Sequence, residues 1–532
     1  MGRYLFTNGR IYTGSYKMPF VKNLAVVGKN VFCCTMQDDE KTLYDSFDVI
    51  DLKGRVIVPG FNDSHVHLNK LALEISKVSL KDCNSLSDVA SRVEEEISLT
   101  PFKRWISCTE INPDLISSGG REINNVMQHI SEYNKVVIYN SSCDILWASK
   151  AVIESQEFNL LDEHLIRLGA ELDSNGEYTG IFRGTAAIAV QKAIPELRGE
   201  ELLYAFEKAI ETLNKLGIVA VHDMDAIKSF AVLGRLKSMG KLKVRAMTSV
   251  SQASFRNFVG LGMFSGFGDE WLKLGPLTIY ADGDLISKSA HLLRPYENDP
   301  YNCGRIVMGK EAIQEAVTAA VKAGISCSVR AVGDSANRDA LDIFESVFEA
   351  SKLKKLRHRI ECAQLLHPDD IKRFAELDIT ASMQPVHMID SMKVAQKLLG
   401  DRSQWMYAFE SMIQKNVRLS FGSDAELSLI DPLKGIFSCI TRHTFDNLSN
   451  DEMHDQEKIS IYDAIKAYTI NPAWMAFDEQ IRGSLEPGKL ADIVILSEDI
   501  FDMPVDQILN VTVDATMIQG RFVYTRNGSE IL

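Results

Sequence analysis

The sequence predicts an α/β protein: a parallel (β/α)8 barrel of the TIM type with a large insertion after its first strand, plus a small β-sandwich domain formed by both termini. Three observations predict it. Eight short apolar segments of the buried-strand type punctuate the middle of the chain, most of them separated by stretches with helical periodicity. The first and last fifty residues have another texture, short strands bounded by glycine and proline. Between about residues 70 and 200 the strand–helix alternation lapses for longer than one crossover needs.

In chain order, the N-terminal strands are read in LFTNGRIYTG, KNLAVVGKNVFCC and FDVIDLKGRVIVPG, with Asn8-Gly9 and Gly28 as turn signals. Their counterparts at the other end are GSLEPGKLADIVIL and VTVDATMIQGRFVY. Residues 1–55 and 481–532 are therefore expected to meet in one domain, with the barrel at 56–480 between them. The eight barrel strands are predicted at Val56–Phe61 (running toward His65), Ile218–Met224, Val244–Val250, Leu277–Asp282, Ser326–Val332, Arg359–Gln364, Ile379–Gln384 and Val417–Ser423. Stretches such as AIQEAVTAAVKAG and PDDIKRFAEL supply the crossovers, and eight such units fit a closed barrel better than an open doubly wound sheet. The insertion, Lys70 to Glu200, contains a strand of its own in KVVIYN. It is expected to lie over the barrel mouth, shape the pocket and exclude water.

Composition narrows the partners. Of 532 residues, 45% are hydrophobic and 24% charged, which suits a globular chain with an ample core. The net charge of −14 argues against nucleic acid as a partner. No apolar run approaches the roughly 18 residues a membrane helix needs, so no membrane partner is expected. The N-terminus lacks the apolar core of a signal peptide, and Phe6 stands where a myristoylation signal wants Ser or Thr. The nine cysteines are scattered without a CxxC pair, and Cys33 and Cys34 are adjacent; this reads as a reduced, cytoplasmic protein. A small-molecule substrate is expected, and a homodimer is the default oligomer.

In a barrel of this kind chemistry gathers at the C-terminal ends of the strands. Strand 1 runs into Asp63-Ser64-His65-Val66-His67. Histidines at i and i+2 of an extended segment point the same way, so both imidazoles can reach one metal. Strand 8 ends in Phe421-Gly422-Ser423-Asp424, and strands 8 and 1 are neighbours in a closed barrel. Asp424 is thus a candidate metal ligand and proton acceptor, or else the N-cap of the helix after Pro432 or a loop-turn aspartate. His222 ends strand 2 as a fourth ligand or as a partner behind the ligands. Asp282 ends strand 4 and binds metal, substrate or loop backbone. His387 ends strand 7, and His291 follows strand 4; both are candidates to line the pocket. Neither a phosphate loop nor a GxSxG elbow is present: SNGEYTG and GFNDS match neither pattern.

The motifs PGFNDSHVHL, GIVAVHDM, YADGDLISKSAHLLRPY, AVGDSANRDAL, HRIECAQLL, SMQPVH, FGSDAELSLIDPLKGI and GSLEPGKLADIVIL resemble, in order and over nearly the whole chain, those of the amidohydrolase superfamily, within it the YtcJ-like amidohydrolase-3 group. The resemblance implies a metal-dependent hydrolase of C–N, or sometimes C–O, bonds. The departures from the family pattern fall on one side of the site. Thr278 stands where the family usually has a lysine, Arg330 and Cys362 where it has metal-binding histidines, Cys143 where the insertion has a histidine, and Gly184 where it has a glutamate. The first metal position, His65, His67 and Asp424, is complete, whereas the second is largely lost. A cation beside Arg330 would be repelled. Arg330 either holds Asp424, binds a substrate carboxylate, or sits in a structural ion pair. Cys362 is either a thiolate ligand or an inert buried thiol. Cys143 is a candidate substrate contact. Strand parity puts Glu361 opposite Cys362, facing the helix layer.

The expectation is therefore a hydrolase acting on an amide-type carbon–nitrogen bond. It would hold one divalent metal, zinc by ligand type, with Asp424 shuttling the proton and with His222 or Cys362 as an added ligand. The alternative is a catalytically impaired, ligand-binding relative with Arg330 filling the second metal position.

Overall fold

The computed structural model describes residues 2–36, 46–99, 105–117, 120–426, 429–445, 454–529 and 531. Met1–Leu71 and Ala209–Leu532 form one compact unit, and Ala72–Lys208 a second. The first unit contains an eight-stranded, all-parallel sheet in sequence order: β1 (Phe61–Val66), β2 (Ile218–Asp223), β3 (Arg245–Val250), β4 (Leu272–Tyr280), β5 (Cys327–Ala331), β6 (Arg359–Cys362), β7 (Thr380–Met383) and β8 (Leu419–Phe421). The two edges meet just past β8. Val66 bridges Ala425 in parallel, the Asp424 N–H donates to the His65 carbonyl at 2.8 Å, and the His67 N–H donates to the Ala425 carbonyl at 2.8 Å. The sheet is thus a closed barrel, and β1 and β8, which carry the predicted ligands, are neighbours.

One predicted strand is corrected. Val56–Pro59 is a strand, but it pairs with Ile493–Leu496 and Arg10–Tyr12 in the terminal domain and not in the barrel. The chain breaks at Pro59-Gly60 and enters the barrel only at Phe61. A side chain at Gly60 would meet Val219 at 2.5 Å, so the crossing point demands glycine. The apolar run VIVPGF reads as one strand because both halves are buried, each in a different core.

The terminal domain is two sheets. Four strands stack in the order Asn30–Thr35, Asn23–Val27, Arg3–Thr7, Asp48–Asp51. Six stack in the order Arg521–Thr525, Val513–Ile518, Ile493–Leu496, Val56–Pro59, Arg10–Tyr12, Phe20–Val21. Phe6, Leu24, Ile57, Ile493 and Met517 share one core, so residues more than 450 positions apart pack together. The C-terminal segment is also tied to the N-terminal ends of the barrel strands by buried and part-buried ion pairs. Arg245 makes a two-pronged pair with Asp492 at 2.9 and 3.0 Å, and both are almost wholly buried. Arg482 pairs with Asp478 at 2.9 Å, Asp478 also takes Lys273, and Arg357 reaches Glu479 at 2.7 Å.

The second unit holds more than the single strand its sequence announces. Six strands form one sheet, in the order Ala170–Leu172, Tyr178–Arg183, Ile145–Ala148, Val136–Tyr139, Ile106–Thr109, Val78–Ser79. It has apolar cores of its own around Val89, Ile123 and Trp147 and around Leu146, Val152 and Phe182. Among the described residues no helix is long and apolar enough to cross a membrane, and all nine cysteines are unpaired.

Candidate metal centre at the barrel mouth

The site is built where β1 meets β8. Gly422 lets the chains close: a side chain there would meet the His65 nitrogen at 2.4 Å. The Asp63 carboxylate then stitches the two strand ends, accepting from the N–H groups of His65 (3.1 Å) and Ser423 (3.0 Å). Burial pushes this carboxyl up to about 6 even though those amides favour the charged form. Asp424 follows in a left-handed conformation (φ 57°). Seven residues on in the sequence, Asp431 caps the helix Pro432–Thr441, accepting from Leu433 and Lys434, so capping is not the role of Asp424.

His65 and His67 converge on Asp424. Their Nε2 atoms lie 3.5 and 3.6 Å from the same oxygen, Asp424 Oδ1. One ligand atom from each of the three residues lies within 4.8 Å of the others. Two bonds of about 2.05 Å at a tetrahedral centre put their ends about 3.3 Å apart, so a zinc-sized ion fits this spacing. Behind the imidazoles stand two carboxylates. His65 Nδ1 meets Glu361 Oε2 at 2.8 Å, and His67 Nδ1 meets Asp225 Oδ1 at 2.8 Å. A carboxylate that accepts at Nδ1 fixes the ring and leaves the Nε2 lone pair for an ion. The donor set, two imidazoles and one carboxylate with both imidazoles braced, is what a catalytic zinc-type site requires.

Glu361 corrects the parity argument. It lies inside the barrel, bonded to His65, to Ser328 (2.9 Å) and to Arg359 (2.5 Å). Cys362 follows with φ 70° and Ala363 with φ 43°, so the strand turns left-handed there and alternation no longer sorts the two faces. Burial opposes charge on Glu361, but the Arg359 guanidinium and His65 bring its pKa down to about 2. Burial likewise opposes charge on Asp424, and His387, His65 and His67 hold it at about 2. Both carboxylates are therefore anionic at neutral pH.

The other predicted residues divide. His387 Nε2 lies 3.5 Å from Asp424 Oδ2, the oxygen that faces away from the two ligands. His222 is outside the metal cluster: its Nδ1 accepts from Arg359 at 2.8 Å, and burial beside that guanidinium keeps the ring neutral. Cys362 is a buried thiol that burial pushes up to about 12, and it is not part of the described cluster that converges on one metal position. Asp282 binds loop backbone. It accepts from the N–H groups of Val332 (2.9 Å), Gly333 (2.8 Å) and His291 (2.8 Å), and so fixes the ends of the β4 and β5 loops. His291 enters this region through its backbone, its carbonyl accepting from Ser335 at 3.2 Å. Arg330 donates to the Asp282 and Gly283 carbonyls at 3.3 and 2.9 Å. Cys143 belongs to the second unit, at the turn before Ile145–Ala148, where Gln191 Nε2 donates to its sulfur at 3.2 Å.

Three residues that matter were missed. Glu361 was assigned to the wrong face, Asp225 stands two positions past β2 in VHDMD, and Arg359 is a fully buried cation inside the barrel. For Asp225 a signal was present: an acid just beyond a strand end is placed to reach a neighbouring strand's histidine.

The chain matches the family model described as "Amidohydrolase family" over residues 48–524. It is 30% identical to Protein LONG AFTER FAR-RED 3 of Arabidopsis thaliana, over 98% of this chain and 91% of that protein. It is 27% identical to the putative amidohydrolase YtcJ of Bacillus subtilis, over 90% of each. An uncharacterized metal-dependent hydrolase from Pyrococcus horikoshii superposes with a TM-score of 0.71 at 25% identity, covering 95% of this chain and 99% of that one.

Proposed function

The chain belongs to the amidohydrolase superfamily, in its YtcJ-like family, and on that premise we propose that it hydrolyses an amide-type carbon–nitrogen bond with a single divalent metal, zinc by ligand chemistry. The observation that carries the reading is the convergence of the His65 and His67 Nε2 atoms on one oxygen of Asp424, with each imidazole braced by its own carboxylate. His65, His67 and Asp424 would hold the ion. When bound, it would polarise the substrate carbonyl and acidify a water molecule. Asp424 Oδ1 faces the two imidazoles, which leaves Oδ2 to take the proton from the attacking water and deliver it to the departing nitrogen. His387, beside Oδ2, orients that oxygen. Among the described residues no second group of metal ligands stands where Arg330 and Cys362 lie, which is why the reading has one metal. Chelator-treated protein should lose amide hydrolysis and regain it with added zinc. Asp424→Asn should stay about 10²–10⁴-fold below the wild type with the metal restored.

The presence of Arg330 favours a second reading, a ligand-binding relative that has lost turnover. It predicts no hydrolysis with any loaded metal.

A further inference from the structure

Arg330 sits at the C-terminal end of β5, half-buried at the barrel mouth. Among the described residues no carboxylate comes within ion-pair distance of its guanidinium. Among the described residues it makes two hydrogen bonds, both from Nη1 and both to backbone carbonyls. Nε and Nη2 donate to none of the described residues. Partly burying a cation with two idle donors is costly, because water is lost and no acceptor among the described residues replaces it.

The neighbouring acids are already committed. In register across β5 and β6, Arg330 lies beside Glu361, but that carboxylate is taken by His65, Ser328 and Arg359. The Asp282 carboxylate is filled by three backbone N–H groups. Asp424 Oδ1 faces the two histidines and Oδ2 faces His387. On the other side Arg330 is in register with Tyr280, whose ring is exposed at the end of β4. The guanidinium therefore presents a free two-donor edge beside an exposed aromatic ring, on the same barrel face as the candidate metal centre.

We propose that Arg330 is the anion-recognition residue of the pocket, and that the substrate is an amide carrying a carboxylate within a few bonds of its scissile C–N bond. Nε and Nη2 form a planar fork that matches the two oxygens of a carboxylate. A monoanion fits better than a dianion such as phosphate, because the Asp282, Asp424 and Glu361 side chains crowd the same end of the barrel with acids. The inference rests on the hydrolase reading for the amide part only; the anion part stands or falls by itself.

The test is binding of a defined panel to the full-length protein by calorimetry. The panel consists of N-acetyl amino acids (carboxylate on the amine half), dicarboxylic acid monoamides (carboxylate on the acyl half), and the neutral carboxamide counterpart of each. At least one acid should bind tenfold or more tightly than its neutral counterpart. Arg330→Gln should abolish that discrimination, and Arg330→Lys, which keeps the charge but not the fork, should retain part of it. A structural role would change melting temperature without changing the acid-to-neutral ratio. Acid preference without turnover would leave the anion site standing and sink the hydrolase reading. Equal binding of acids and neutral counterparts, no binding by any panel member, or undiminished discrimination in Arg330→Gln would overturn the proposal.

Discussion

The two ends of the barrel both contain buried charge, and they use it in opposite ways. At the N-terminal floor every arginine of the cluster has its acid: Arg245 with Asp492, Arg482 with Asp478, Arg357 with Glu479. At the C-terminal mouth, three ligand groups point at one another with nothing of the protein between them, and Arg330 has no acid within ion-pair distance among the described residues. Satisfied charge fixes a structure, whereas charge left facing a gap is strain that a ligand relieves. The floor reads as the part that holds the barrel and the terminal domain together, and the mouth as the part kept ready for chemistry.

Removing charge from each end should break the comparison or sharpen it. The largest expected effect is at the mouth. Asp424→Asn should lower turnover about 10²–10⁴-fold, the usual worth of a positioned acid–base group, while the melting temperature holds or rises. A matching fall in stability would mean that the mouth is structural too. At the floor, Asp492→Ala leaves Arg245 buried and unpaired and should cost about 3–5 kcal/mol in denaturant unfolding. Turnover per folded molecule should not change.

The floor also contains His358, whose ring stacks on Phe344 while Nδ1 accepts from the Cys327 N–H at 3.0 Å. Burial lowers its pKa from 6.5 to about 4. Below pH 6.5 the unfolded chain binds a proton that the folded chain refuses, so stability falls as pH drops toward 4, by on the order of 3 kcal/mol. His358→Gln should flatten that part of the stability–pH curve; an unchanged slope would rule His358 out as its source.

A smaller effect is expected behind the ligands. Asp225→Asn should weaken metal affinity about 10–100-fold in a competition titration, with melting of the metal-free protein little affected.

The sequence shows the barrel through its eight apolar strands, and half of the site through HxH and the strand 8 aspartate. Those features are local: a two-residue spacing on an extended segment and an acid at a strand end. What it hides is set by backbone turns and by distant packing. Arg359 and Glu361 alternate onto the barrel interior, where Glu361 meets His65, whereas the left-handed turn at Cys362 breaks that alternation, and nothing in HRIECAQ signals the turn. The split at Pro59-Gly60 is visible as residue types, but which core each half joins depends on Ile493, more than 400 residues away. Arg330 is legible as a departure from the family pattern, while its lack of an acid partner is a fact of three dimensions.

The central claim is that the mouth holds one divalent metal through His65, His67 and Asp424. Elemental analysis of protein purified without chelator tests it most directly. About one metal ion per chain in the wild type, falling to near zero in His65→Ala/His67→Ala, is the predicted result. A wild-type value near zero after zinc is supplied, or near two, would contradict it.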